Sequence, residues 1–397
     1  AMIPFSRYSL ALCLALSLVS CADTSKQAEE AAAVVLPAPD MENAKPNPAK
    51  VIPQPEGATL KTPDGFKVEE YASGFKKPRF LLELTSGKVL VTDAIPDGSV
   101  YVIENGKPGK ALLTGLERPF GMALWKDYLY VTEAQNIKRY RLNQETLEIG
   151  PAEVVLPLTG YTAGHWTRAL AFDKNDTLYV GVGSGSNVGT DDPEDRNAVL
   201  AISADGANKR IVAKGLRNPV SVRIQPESGK LWATVQERDG LGNDLPPDFL
   251  TEVKEGQFYG WPWAYYGKNE DPRHKGVNPE AVAKTIVPDV MLPAHASAMD
   301  FIFYTGDQFP AKYRNGAFVA YRGSSGRAKR VGYSIEFVPF QNGKPAGKPE
   351  AFLSGFMLGE DQPEVWGRPV GIVQLSDGSI LFSEDGNNKI YRVSYSK

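Results

Sequence analysis

The residues best suited to chemistry in this sequence lie in a short loop, Gly164-His165-Trp166-Thr167-Arg168, among arginines that recur along the chain. A neutral imidazole can take a proton from an alcohol near neutral pH, so His165 is a candidate general base. The other histidines, His274 and His295, lie in separate segments, and three scattered histidines do not make a zinc set. Guanidinium forks suit carboxylates, so Arg79, Arg168, Arg217, Arg322 and Arg368 point to a polyanionic ligand. The segment from Glu237 to Asp248 is glycine-rich and acidic. It can turn carbonyls and carboxylates onto a hard cation such as calcium, and it reads equally as an ordinary surface loop. No glycine-rich phosphate loop opens a helix and no G-x-S-x-G elbow is present, which argues against nucleotide cofactors and a serine-hydrolase elbow. The chain has no C-x-x-C-H and so carries no c-type haem of its own.

These residues must be positioned by strands. The 38 glycines and 30 prolines suit a turn-rich β protein. From Phe66 onward, an apolar strand, a turn and a second alternating strand recur six times, with second strands ending at Asp93, Glu133, Ser184, Glu237, Arg322 and Glu384. The pattern predicts an all-β fold, a six-bladed β-propeller with long insertions in blades four and five. Phe66 to Tyr71 is expected to pair into the last blade and close the ring. In a propeller, the loop entering the first strand and the loop leaving the second share one end of the channel. That end gathers Arg79, Phe120, His165, Arg168, Arg217, Asn218, His295 and Arg368 with the carboxylates of the second strands. Pairing of these charges between neighbouring blades as structural glue is the plain alternative for any one of them.

Residues 1–20 read as a lipoprotein signal peptide, with Arg7 followed by an apolar run from Tyr8 to Val19. Leu18-Val19-Ser20-Cys21 resembles a lipobox; an ordinary cleaved signal with an incidental cysteine is the alternative. Residues 21–60 are expected to be a lipidated Cys21 and a disordered Pro/Ala-rich tether, and residues 61–397 the catalytic propeller. The only other cysteine, Cys13, lies in the signal, so the mature chain has no disulfide. The expected location is the periplasm or a cell surface, with the membrane reached through Cys21 alone, at the outer membrane in a Gram-negative host. A net charge of −3 offers no basic surface for nucleic acid.

Gly164-His-Trp-Thr-Arg-Ala-Leu, Leu216-Arg-Asn-Pro, Gln236-Glu-Arg-Asp-Gly-Leu-Gly, Tyr259-Gly-Trp-Pro and Gly367-Arg-Pro-Val-Gly together resemble the soluble sugar dehydrogenases that depend on pyrroloquinoline quinone (PQQ), most of all the sorbosone dehydrogenase branch. The resemblance implies a propeller with PQQ at the channel mouth, bound through Ca2+, and oxidation of a sugar hemiacetal or hydrated aldehyde. It implies hydride transfer to the quinone and electrons passed to an external acceptor, a cytochrome or a quinone. His165 then matches the base, Arg217 the arginine beside the reactive carbonyl, and Asn218 its neighbour. Arg322 falls where the glucose enzymes use a lysine toward the PQQ carboxylates, and Arg368 matches one of two arginines on them. Gly240 and Leu241 match a Gly-Pro pair whose carbonyls hold the calcium. Three cofactor-site positions depart from the family: Ser184 stands for the Asp that supports the histidine, Trp366 for the first paired arginine, and Phe120 for a glutamine. Two other readings of the same propeller are a calcium-dependent lactonase using Glu133, Glu237, Glu384 and Asn218, and a binding propeller without catalysis.

Overall fold

A computed structural model describes residues 35–397. The signal peptide and Cys21 lie outside the described residues. Six four-stranded antiparallel sheets follow one another along the chain and form the six blades. Blade one spans Pro78–Glu83, Val89–Asp93, Gly98–Glu104 and Lys107–Leu116. Blades two to five begin at Met122, Leu170, Asn218 and Ala298. The expected insertions are present: blade four carries a two-stranded hairpin and the helix Pro279–Lys284 between its third and fourth strands, and blade five carries a 3-10 turn, Ala311–Tyr313. Blade six takes its outer strand from the other end of the propeller, because Phe66–Ala72 pairs antiparallel with Lys389–Tyr395. Phe66 seals this closure edge-on against Phe309 and Phe352, at centroid distances of 4.8 and 4.9 Å.

The repeated second-strand ending has a structural cause. The hydroxyls of Thr92, Thr132, Thr234 and Ser383 each donate to a carbonyl at the start of the next blade, on Phe120, Arg168, Met299 and Arg79. Each such buried bond is worth about 0.5–1.5 kcal/mol net. Ser383 joins blade six to blade one. Neighbouring first strands come so close that a Cβ on Gly371 would sit 1.9 Å from the Arg79 carbonyl, which is why glycine stands there.

The carboxylates that follow these hydroxyls are spent on backbone. Asp93 accepts from the N–H groups of Lys76 and Lys77, Glu133 from that of Glu117, and Glu384 from those of Arg368, Gly386, Asn387 and Lys389. They fix the loops entering each blade. The glue considered from the sequence is charge pairing between neighbouring blades; here these carboxylates bind backbone of their own blade's entry loop instead, which leaves Glu133 and Glu384 without the converging geometry a lactonase metal site needs.

The disordered tether is corrected over residues 40–61. Asp40 N–H donates to the Leu241 carbonyl at 2.9 Å and Asn47 N–H to Ser325 at 2.7 Å. Lys50–Val51 pairs in parallel with Glu364–Val365, and Lys61 bridges Ser354. The buried Arg330 donates to the Asn47 carbonyl and Oδ1 and to the Pro48 carbonyl. The prolines keep this segment extended, and an extended backbone offers unpaired N–H and C=O groups that a neighbouring loop can satisfy. Its few apolar residues, Ala49, Ile52, Ala58 and Leu60, pack against the apolar cluster under blades five and six.

Candidate active site

Two adjoining cavities of about 190 and 140 Å³ share His165, Gln236, Ser297 and Arg322 in their walls. Arg79, Trp166, Thr167 and Asn218 also line the first. Arg217, Glu237, Asp239, Asp248, His295 and Arg368 also line the second. The loop entering blade three, the ends of the blade-four strands and the exit of blade five thus meet at one place, as the repeat geometry requires.

His165 is held by Ser184, the last residue of the same blade's inner hairpin. His165 Nδ1 lies 3.0 Å from both the Ser184 carbonyl and Ser184 Oγ. Ser184 Oγ has one proton, and it goes to the Ser186 carbonyl at 2.6 Å. Nδ1 must therefore donate, which leaves the Nε2 lone pair free to accept a proton. Burial, and then the charge of Arg217, push the imidazole down to about 3, so it is neutral at physiological pH. His295 is the opposite case. Its Nδ1 faces Asp239 at 3.4 Å and its Nε2 donates to the Gly242 carbonyl at 2.7 Å, so both nitrogens favour the protonated ring. His274 binds the Val188 carbonyl and packs on Trp263, away from both cavities.

Three arginines divide the work around this base. Arg196, which the sequence reading passed over, donates to the carbonyls of Gly183, Ala163, His165 and Ser184 and so clamps the two loops that carry the histidine. Arg168 is fully buried and binds the carbonyls of His165, Thr167 and Tyr161, so it is structural and not one of the ligand-facing set. Arg217 reaches the second cavity with all its donors on carbonyl oxygens, those of Glu237 and Asn187 with Asn187 Oδ1. No carboxylate pairs with it among the described residues, and Glu237 beside it is pushed up to about 8 by burial and is neutral at pH 7. Asn187, 30 positions away, was invisible to motif reading because nothing local marks it.

On the far wall, one carboxylate serves two cations. Asp385 accepts from Arg79 at 2.7 Å and from Arg322 at 3.0 Å, and the surrounding positive charge holds it down at about 2 despite its burial. Arg368 has no carboxylate partner, and its buried Nε has no hydrogen-bond partner at all. Asn218 is oriented by Gln236 Oε1 at 3.2 Å, and its own Oδ1 is left without a partner.

The sequence model of the Glucose / Sorbosone dehydrogenase family matches residues 127–324, across the loop of His165 and the ends of blades four and five. An uncharacterized protein of Borreliella burgdorferi is 32% identical over 361 residues, covering 86% of this chain and 92% of that protein. The chain belongs to the glucose/sorbosone dehydrogenase family. The aldose sugar dehydrogenase of Escherichia coli is 27% identical over 168 residues, 38% of this chain and 43% of that one. A TrAA12-like family model matches residues 268–396. Two solved structures share the fold. The calcium structure of a Trichoderma reesei family AA12 enzyme has a TM-score of 0.73 at 22% identity, covering 85% of this chain and 98% of that one. The PQQ-bound aldose sugar dehydrogenase of Streptomyces coelicolor has 0.59 at 17%, covering 85% and 100%.

Among glucose/sorbosone dehydrogenase positions inferred from the resemblance, this chain brings His165, Arg217, Asn218, Arg322 and Arg368 to the cavities, and Ser184 behind His165. Four others it does not bring there. Phe120 is 1% exposed and packs edge-on against Phe80 and Trp166, because an aromatic ring gains more in the inner wall than at a polar mouth. Trp366 is 1% exposed and packs edge-on in the core against Phe356 at a centroid distance of 4.7 Å. Gly240 and Leu241 line neither cavity; Leu241 is wholly buried and its carbonyl takes the Asp40 N–H. The calcium set drawn from the resemblance therefore does not fit these two residues. Among the described residues, no three carboxylate, imidazole or thiolate groups converge on a metal position. A polyanion such as PQQ fits the donor set, since of Arg217, Arg322 and Arg368 only Arg322 has a carboxylate partner among the described residues, and the buried Arg368 Nε is orphaned.

Proposed function

We propose that the protein is a PQQ-dependent dehydrogenase that oxidises a sugar at its hemiacetal hydroxyl or hydrated aldehyde and hands the electrons to an external acceptor, a cytochrome or quinone. The observation that carries the reading is a neutral His165, its Nε2 free, at the same mouth as Arg217 and Arg368, neither of which forms a salt bridge among the described residues. PQQ, when bound, supplies an electrophilic quinone carbonyl that accepts a hydride. His165 Nε2 takes the proton of the sugar hydroxyl as the hydride leaves the same carbon, so both hydrogens of the oxidised group have a destination. Arg217, buried and unpaired, stabilises negative charge that develops beside it. Arg322 and Arg368 receive carboxylates, with Asp385 holding Arg322 in place. Calcium rests on the resemblance alone, and no step runs through it.

Reconstitution of the purified protein with PQQ and Ca2+ tests this, read by cofactor absorbance after gel filtration and by dye reduction with aldoses. Retained cofactor and sugar-dependent reduction are expected, with Arg368→Ala weakening retention about tenfold or more. Absence of PQQ retention at micromolar cofactor removes the reading.

We also propose export and lipid anchoring at Cys21, on the strength of Leu18 to Cys21 and the apolar run before it. Mass spectrometry of membrane-extracted protein showing an unmodified Cys21 would end that proposal.

A further inference from the structure

The first cavity is lined by Arg79 and Arg322, and two further cations, Lys77 and Arg118, lie against its Trp166 without lining the cavity themselves. Around the indole of Trp166, which lines the first cavity beside the base, three cations gather. Lys77 Nζ lies 5.7 Å from the ring centre, the Arg79 guanidinium 5.3 Å and the Arg118 guanidinium 5.0 Å. The carboxylates on this side are Asp385, already shared between Arg79 and Arg322, and Glu117, which meets Arg118 at 3.3 Å in an exposed pair. Lys77 pairs with no carboxylate among the described residues, and burial and the charge of Arg79 bring it down to about 8. Of the cations here, Arg79 and Arg322 share Asp385 and Arg118 meets Glu117, while Asp93 and Glu133 are engaged by backbone N–H groups. Lys77 is therefore the one left without an ion-pair partner among the described residues, and leaving such a charge unpaired on desolvation is costly.

Two further features mark this as a built site. Arg118 has φ of 47°, the left-handed region that a non-glycine side chain adopts at a cost of about 1–3 kcal/mol and that recurs where binding fixes the backbone. Thr167, a wall residue only 7% exposed, has a hydroxyl with no hydrogen-bond partner. A ligand with hydroxyls and a negative charge would satisfy both.

We propose, resting on the dehydrogenase reading above, that the sugar this protein takes is an acidic one, whose carboxylate or phosphate is received by Lys77, Arg79 and Arg118 beside Trp166. A uronate carries its carboxylate on C5, one ring oxygen away from the anomeric carbon, and His165, Trp166 and Arg79 line one cavity. Each charge-assisted bond contributes to discrimination against the neutral sugar, which leaves Lys77 unpaired.

Calorimetric binding of glucuronate, glucose 6-phosphate and glucose to the purified protein tests the proposal without turnover. An anionic sugar should bind about tenfold or more tightly than glucose at roughly 0.05 M salt, with the preference shrinking at roughly 0.5 M. The Lys77→Gln/Arg118→Gln variant should bring the ratio to about one, and Arg118→Lys should restore part of it. Whichever anionic sugar binds better names the acid group. Glucose binding as tightly as both, or neither anionic sugar binding at roughly 10 mM, overturns the proposal. So does a preference that survives in the folded double variant; if that variant does not fold, Lys77→Gln alone and the salt dependence decide. Preferential binding of an acidic sugar that the PQQ- and Ca2+-loaded protein fails to oxidise would instead overturn the dehydrogenase reading and keep the subsite. Oxidation of neutral aldoses with no anionic preference would do the reverse.

Discussion

His165 Nδ1 and the Ser184 carbonyl lie 3.0 Å apart, and this contact sets the tautomer of the base without any carboxylate. The family's aspartate is absent, yet its orienting task is done by main chain, because the Ser184 hydroxyl is turned away to Ser186. Ser184→Ala should therefore cost turnover less than about tenfold, while His165→Ala should cost roughly a hundredfold to ten-thousandfold. Steady-state kcat for the two variants checks this. Equal losses in both would mean that the hydroxyl, not the carbonyl, fixes the ring.

The acid limb of the pH–rate profile should fall well below the ordinary histidine range. Burial and Arg217 hold His165 down at about 3, against a usual value of 6.5. Between those values the unfolded chain binds the proton that the folded one refuses, so this residue makes stability rise with pH from about 3 to about 6.5. His165→Gln should flatten the dependence of the denaturation midpoint on pH across that window. An unchanged slope in the variant would place the acid sensitivity elsewhere.

Arg196 should behave as a positioning residue. It touches neither cavity, but its guanidinium holds four carbonyls in the two loops around His165. Arg196→Ala leaves the Gly183 and Ala163 carbonyls without this donor, while Arg168 and His165 still serve the His165 and Ser184 carbonyls, and a loss of about 1–3 kcal/mol in stability is expected. Turnover should fall while PQQ retention stays near wild type, and the acid limb should move as the ring loses its fixed surroundings. A variant that is less stable but has an unmoved pH profile would show Arg196 to be structural only.

The extended segment before the propeller should matter to the fold. Removing residues through Val51 strips the strand paired with Glu364–Val365 and leaves Arg330 without its Asn47 and Pro48 acceptors. A loss of about 2–4 kcal/mol is expected, read as a lower thermal midpoint. Truncation with no change in midpoint would return this stretch to the role of a passive tether.

Residue by residue, the sequence already determined the six repeats, the closing strand at Phe66 and the placing of His165, Arg217 and Arg368 at one rim. Each follows from local alternation plus one topological rule, although the closing strand realises that rule by pairing Phe66–Ala72 with Lys389–Tyr395 at the other end of the chain. Tertiary structure decided which charges are free. Arg79 meets Asp385 across 306 positions, Arg217 meets Asn187 from another blade, and Trp166 collects cations from blades one and two. Such partners are brought together by loop paths, which no spacing in the chain encodes. The same holds for Trp366 and Leu241, whose place in a motif pointed to the site while the packing free energy of large apolar side chains drew them into the core. It holds too for residues 40–61, where composition argued against order and the unpaired edges of three blade loops supplied the partners that composition could not show.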